Sequence, residues 1–101
     1  MHPRPLTVSR KELLVLELLV RDEELYGLQL VASSKGRLKR GTVYVTLGRM
    51  EGKGYISSRL EDPPPGAGGL PRRRYTATAL GRRMLAAWTS GATRLVPEPA
   101  R

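Results

Sequence analysis

The chain has 101 residues, with 18 basic against 9 acidic side chains, a net charge of +9 and a sequence pI near 10.9, which bounds it to one domain with a modest core and a surplus of positive charge. There is no cysteine and one histidine, His2, beside a proline, which excludes disulfides, thiolate metal sites and cysteine nucleophiles; the only carboxylate cluster is the turn Asp22-Glu23-Glu24, so no enzyme and no cofactor are expected. The apolar run Leu13–Val20 is broken by Glu17 and too short to cross a bilayer, so the expectation is a cytoplasmic protein without membrane contact.

Residues 1–8 hold two prolines and few packing groups and read as an arm. Ser9-Arg10-Lys11-Glu12 is a capping box that opens a helix. That helix places Leu13, Leu16 and Val20 on one face, widened by Leu14, Leu18 and Leu19, broad enough to bury against both its own domain and a second chain. After the polar break 21–24, Leu25-Tyr26-Gly27-Leu28-Gln29-Leu30-Val31 opens a second, shorter helix ending near Gly36, and a basic link, Arg37–Arg40, follows. A third helix is predicted over 40–53, where Val43, Leu47 and Met50 recur at i, i+4 and i+7 and seek a core, and Gly54 supplies the stop. Its opposite stripe carries Thr42, Val45 and Arg49, with Gly48 leaving bare backbone between them. Tyr55–Leu60 alternates loosely and is rich in strand formers, 61–71 is a Pro/Gly-rich loop, and Arg72–Ala77 is a return strand. Thr78 can cap a last helix running through Leu80, Met84, Leu85 and Trp88 to about 96; Gly91 weakens it, and Pro97 and Pro99 end it.

Three helices, a hairpin and a further helix make a mainly α protein with a small two-stranded β wing, an α+β fold of winged helix-turn-helix type with one carboxyl-terminal dimerisation helix. The expected divisions are an arm at 1–8, a DNA-binding domain at 9–77 with its wing loop at 61–71, a dimerisation helix at 78–96 and a tail at 97–101. Charge follows the same plan: net −2 over 10–26, +5 over 35–53 and +4 over 59–83. Cations gathered on the third helix and the hairpin suit a polyanion, and a helix buried on one side with small groups and an arginine on the other suits a DNA major groove.

At this point the chain resembles the PadR family of bacterial winged-helix transcription regulators. Leu25-Tyr26-Gly27-Leu28-Gln29-Leu30 is similar to that family's Leu-Tyr-Gly-Tyr-Glu-Leu signature. Gly41-Thr42-Val43-Tyr44, with Leu47, Met50 and Gly54-Tyr55-Ile56, resembles its recognition-helix pattern, and Arg72-Arg73-Arg74-Tyr75 with Thr78 and Gly81 resembles its exit from the wing. The likeness covers about residues 10–88 in unbroken order. Lys39-Arg40 replaces the Ser-Pro pair usual before Gly-Thr, so the helix lacks that cap and gains two cations. The terminal helix is shorter than in most members. The resemblance implies a homodimer, a hydroxyl–phosphate contact from Tyr44, and room for a small aromatic effector.

The residues then take roles. Arg49 fits a bidentate guanine contact, Val45 a thymine methyl, and Thr42 a base edge. Tyr44 either reaches a phosphate or packs on the second helix. Lys39, Arg40 and Lys53 read as phosphate neutralisers. Of Arg72, Arg73 and Arg74, alternate members point to opposite faces, and at least one should touch DNA; the competing role is to keep an edge strand soluble. Leu13, Leu16, Met84, Leu85 and Trp88 are candidates for a dimer interface, with Trp88 alternatively lining an effector pocket. Leu13, Leu16, Leu47, Met50, Ile56 and Leu60 are expected in the core. The leading function is a homodimeric repressor on a near-palindromic double-stranded operator. The alternative is a protein-interaction module whose basic face docks an acidic partner.

Overall fold

In a computed structural model, residues 8–66 and 68–95 are described, with side chains as far as Ser90. The elements run α1 (Arg10–Asp22), β1 (Leu25–Tyr26), α2 (Gly27–Ser33), α3 (Val43–Gly52), β2 (Ile56–Glu61), β3 (Arg72–Ala77) and α4 (Ala79–Leu95). Most of the expected arm and the whole tail lie outside the described residues.

The capping box forms as its spacing requires. The Glu12 amide donates to Ser9 Oγ at 3.1 Å, and the Ser9 amide donates to the Glu12 carboxylate at 2.9 Å. Leu14, Val15, Leu16, Leu18 and Leu19 of α1 are buried, so this helix is the centre of the core. The link from α2 to α3 is held by Ser34, whose hydroxyl donates to the Val31 carbonyl and accepts from the Leu38 amide, both at 2.8 Å. Leu38, 2 % exposed, pins the link to the core while Arg37, Lys39 and Arg40 around it stay in water. At the end of α3 the amide of Gly54 donates to Glu51 and that of Tyr55 to Met50, with Gly54 at φ 82. This paired closure needs a left-handed residue at Gly54, as its position predicts.

The sheet has three strands, not the two expected, in the order β1-β3-β2 and antiparallel throughout. Leu25 and Tyr26 were expected to open the second helix; they pair instead with Tyr75 and Arg74, and the helix begins at Gly27. The outer edge of β3 would otherwise leave backbone groups unpaired, and two residues of extended chain satisfy it. Because β3 is the middle strand at Arg74, edge protection does not account for that arginine.

Two core expectations fail. Leu60 is 57 % exposed, because β2 runs past the edge of the core into the wing. Leu13 is only half-buried. Leu16, read as a dimer contact as well as core, is fully buried within the monomer and cannot reach a second chain. It lies under the first turn of α4, where Gly81 allows the approach: a Cβ there would stand 3.0 Å from Leu16 Cδ2 and 2.1 Å from the Tyr55 carbonyl oxygen. Thr78 locks the same junction, accepting from the Gly81 amide at 3.0 Å and donating to the Gly54 carbonyl at 2.6 Å. Gly81→Ala drives a methyl into backbone that cannot turn aside. It should destabilise the fold by about 3 kcal/mol or more, read as a fall in the midpoint of urea unfolding.

Candidate nucleic-acid interface

Val43, Thr46, Leu47 and Met50 of α3 are buried, against α1 and β2. Each buried aliphatic side chain is worth roughly 1.5–3 kcal/mol, which fixes the rotation of the helix about its own axis. The other side is thereby turned outward: Thr42, Tyr44, Val45, Gly48 and Arg49 are all exposed, Val45 at 57 % and Tyr44 at 50 %. Thr42 is the N-cap residue but makes no side-chain cap bond, leaving its hydroxyl available; the backbone turn 39–42 closes the end, with the Val43 amide donating to Lys39 at 2.9 Å.

Tyr44 combines both readings of it. Its ring lies over Gly27, where an added Cβ would stand 2.6–2.7 Å from the ring and hydroxyl, so the phenol packs on α2. Half its surface nevertheless faces water. Beside it a groove of about 610 Å³ runs between α2 and the wing, lined by Tyr26, Leu28, Gln29, Leu60, Arg72 and Arg73 among others.

The three wing arginines separate by face. Arg72 and Arg74 share the outer side of the sheet and both stack on the Tyr26 ring, at 4.0 and 4.6 Å from its centre. Arg74 is committed there: it donates to the Tyr26 hydroxyl at 2.7 Å and to Glu61 at 3.0 Å, and lies 3.7 Å from Glu24. Tyr26 in turn donates to Glu61, and Arg59 pairs with Glu24 at 3.3 Å. Arg73, on the inner side across from Leu60, is exposed and donates to Ser58 at 3.1 Å.

Lys53 does not stand free as a phosphate neutraliser would. Its ammonium bonds both oxygens of buried Glu12, at 3.0 Å each. Among the described residues, Lys39, Arg40, Arg49, Arg72 and Arg73 are exposed and enter no ion pair. Acidic side chains pair with Arg21 of α1, with Arg59 and Arg74 of the sheet and with Lys53 at the end of α3; Arg10, Lys11, Arg82 and Arg83 are, like the cations of 35–49, exposed and in no ion pair among the described residues.

Sequence reasoning missed Glu12, Tyr26, Leu28 and Gln29 as parts of this region. Tyr26 could have been found from the alternation of Arg72 and Arg74, since a ring opposite their shared face would stack on both. Glu12 and Lys53 are 41 residues apart, and no spacing rule joins them. Of the expected interface on α4, Met84 and Leu85 are half-buried against the core and Trp88 is 42 % exposed. No helix among the described residues is long and apolar enough to cross a membrane, and no group of three or more metal-binding side chains is found there.

A helix-turn-helix with one charged outer stripe, backed by a wing, defines the winged-helix class of regulators. Residues 15–87 match the transcriptional regulator PadR-like family, and the chain belongs to that family of transcription regulators, not to an enzyme family. It is similar in structure to a PadR family transcription regulator from Clostridium difficile R20291, with 27 % identity and TM-score 0.67, over 82 % of this chain and 86 % of that one. A PadR family regulator from Eggerthella lenta DSM 2243 matches with 27 % identity and TM-score 0.68, over 87 % and 79 %. Bacillus subtilis PadR in complex with operator DNA matches with 25 % identity and TM-score 0.70, over 88 % of this chain but 50 % of that one. No curated protein sequence matches.

The Tyr26–Glu61–Arg74 cluster carries a pH signature. The Tyr26 hydroxyl, and after it Arg74, hold the Glu61 carboxyl below its ordinary 4.5. A carboxylate depressed in the folded state adds stability above its unfolded pKa and loses it as pH falls through the folded one. Wild type should therefore melt above Glu61→Gln at neutral pH, and the difference should close as the pH is lowered from 4.5 downward, read by thermal melts across that range.

Proposed function

We propose that this chain is a sequence-specific, double-stranded-DNA-binding repressor that acts as a homodimer on a near-palindromic operator, with α3 in the major groove. The observation that carries the reading is the outer stripe of α3: Thr42, Val45 and Arg49 project from a helix whose other side is buried, beside the unneutralised cations Lys39 and Arg40. The Bacillus subtilis neighbour, seen with operator DNA, supports it. Arg49 offers a planar fork for a guanine edge and Val45 a methyl contact, while Lys39, Arg40, Arg72 and Arg73 supply phosphate contacts that set register without reading sequence. Arg74, neutralised by two carboxylates, holds the wing in place and adds little charge to the interface.

Two copies would set their α3 helices about 34 Å apart, one turn of DNA. Trp88 is the best-placed side chain for joining them, because it is a large aromatic left partly in water on a helix whose neighbouring Met84 and Leu85 face the core. A flat aromatic effector would use the same indole.

Binding selection on random duplexes with purified protein should yield a two-fold-related site. Arg49→Ala should then lose about 10- to 100-fold in preference for that site over random DNA, with the fold intact. A module that docks an acidic protein would show no site to lose, and that result would refute the reading. Trp88→Ala should shift sedimentation from dimer toward monomer at low micromolar concentration, whereas Leu16→Ala should cost about 2–5 kcal/mol of folding stability without a separate effect on association.

A further inference from the structure

Glu12 is 3 % exposed, yet it is a carboxylate with two separate duties. Its Oε1 accepts the Ser9 amide at 2.9 Å and so closes the capping box at the start of α1. Both its oxygens also accept from Lys53 Nζ, at 3.0 Å each. Lys53 is the C-cap residue of α3, and its backbone amide still donates to the Arg49 carbonyl at 3.0 Å. The ion pair therefore runs from the first turn of the core helix to the last turn of the helix that carries Thr42, Val45 and Arg49. Arg49, the residue best shaped to read a base, stands one turn before the anchored position.

The pair joins a buried carboxylate to a half-buried ammonium; it adds little net stability over an apolar pair of the same size, but removing Lys53 strands the buried charge of Glu12. Its benefit is geometric: an ammonium tied to two carboxylate oxygens tolerates little rotation or sliding. Val43, Leu47 and Met50 fix which side of α3 faces the core, but apolar burial is non-directional and defines the position of the helix along its own axis less sharply. A charge pair at the far end removes that freedom.

We propose that Glu12 and Lys53 are positioning residues for DNA reading: the pair holds the end of α3 against α1, so that the outer stripe meets base edges in one register, and Lys53 neutralises no phosphate. This rests on the function proposed above. The clean variant is Glu12→Gln with Lys53→Met. Glutamine keeps an acceptor for the Ser9 amide, methionine keeps most of the apolar stem, and no charge is left stranded.

Two measurements decide it. Amide hydrogen exchange on the free protein should be about 10-fold faster at Lys53, Gly54 and Tyr55 in the double variant than in wild type. Preference for the selected operator over random duplex should fall about 10-fold, while the slope of log affinity against log salt stays unchanged, because no phosphate contact is lost. Lys53→Arg, which retains the charge, should keep both properties close to wild type. A salt slope lower by about one contact would make Lys53 a phosphate ligand and overturn the proposal. Unchanged amide exchange, or an operator preference kept within about two-fold, would overturn it equally. Should wild type select no duplex at all, the DNA-reading function fails by itself, and the exchange comparison still shows whether the pair holds the helix.

Discussion

The burial of one side of α3 is the constraint on which the rest of the molecule depends. Val43, Leu47 and Met50 are each at most 1 % exposed, and removing their apolar surface from water leaves the helix no freedom to present another side. Thr42, Val45 and Arg49 inherit their direction from that packing. The helix lacks a side-chain cap at Thr42, so beside the local closure at Gly54 its placement rests on tertiary contacts: Leu38 pinning the link before it and Lys53 reaching to Glu12.

Charge is organised by subtraction. Glu12, Asp22, Glu24 and Glu61 each take a cationic partner on α1, on the end of α3 or on the outer face of the sheet. The lysines and arginines of 35–49 are left without acidic partners among the described residues, and Arg72 and Arg73 join them. The exposed pairs among these, Arg21–Asp22 and Arg59–Glu24, contribute little to stability. The consequence of all these pairs is local: they neutralise Arg21, Lys53, Arg59 and Arg74 and leave the cations of 35–49 with their charge. The net +9 of the chain is thus less informative than the location of its nine acids.

The wing shows how a run of like residues is given unlike work. Arg72, Arg73 and Arg74 are adjacent, but strand alternation sends the middle one to the inner face and the outer two onto Tyr26. Pairing of β1 with β3 brings Tyr26 beside Arg74, and Glu61 arrives on the same face from β2. One arginine is thereby fixed as structure while its neighbours stay available to solvent.

Much was legible in the chain because it depends on local spacing. The capping box at Ser9, the stop at Gly54, the cap at Thr78 and the apolar period of α3 are each set by residues within about seven positions of one another, and backbone geometry dictates their outcome. The family signature was readable for the same reason. What tertiary structure alone decided involves partners far apart along the chain. The recruitment of Leu25 and Tyr26 into a third strand depends on an edge about fifty residues away. Leu60 looks like a core residue in its strand and is exposed because the core ends before it; Leu16 looks available to a second chain and is sealed by α4 at Gly81. Lys53 reads as one more free cation until folding sets Glu12 against it. Sequence specifies which faces are apolar and where helices begin and end, but which charge meets which is settled only when separate elements pack.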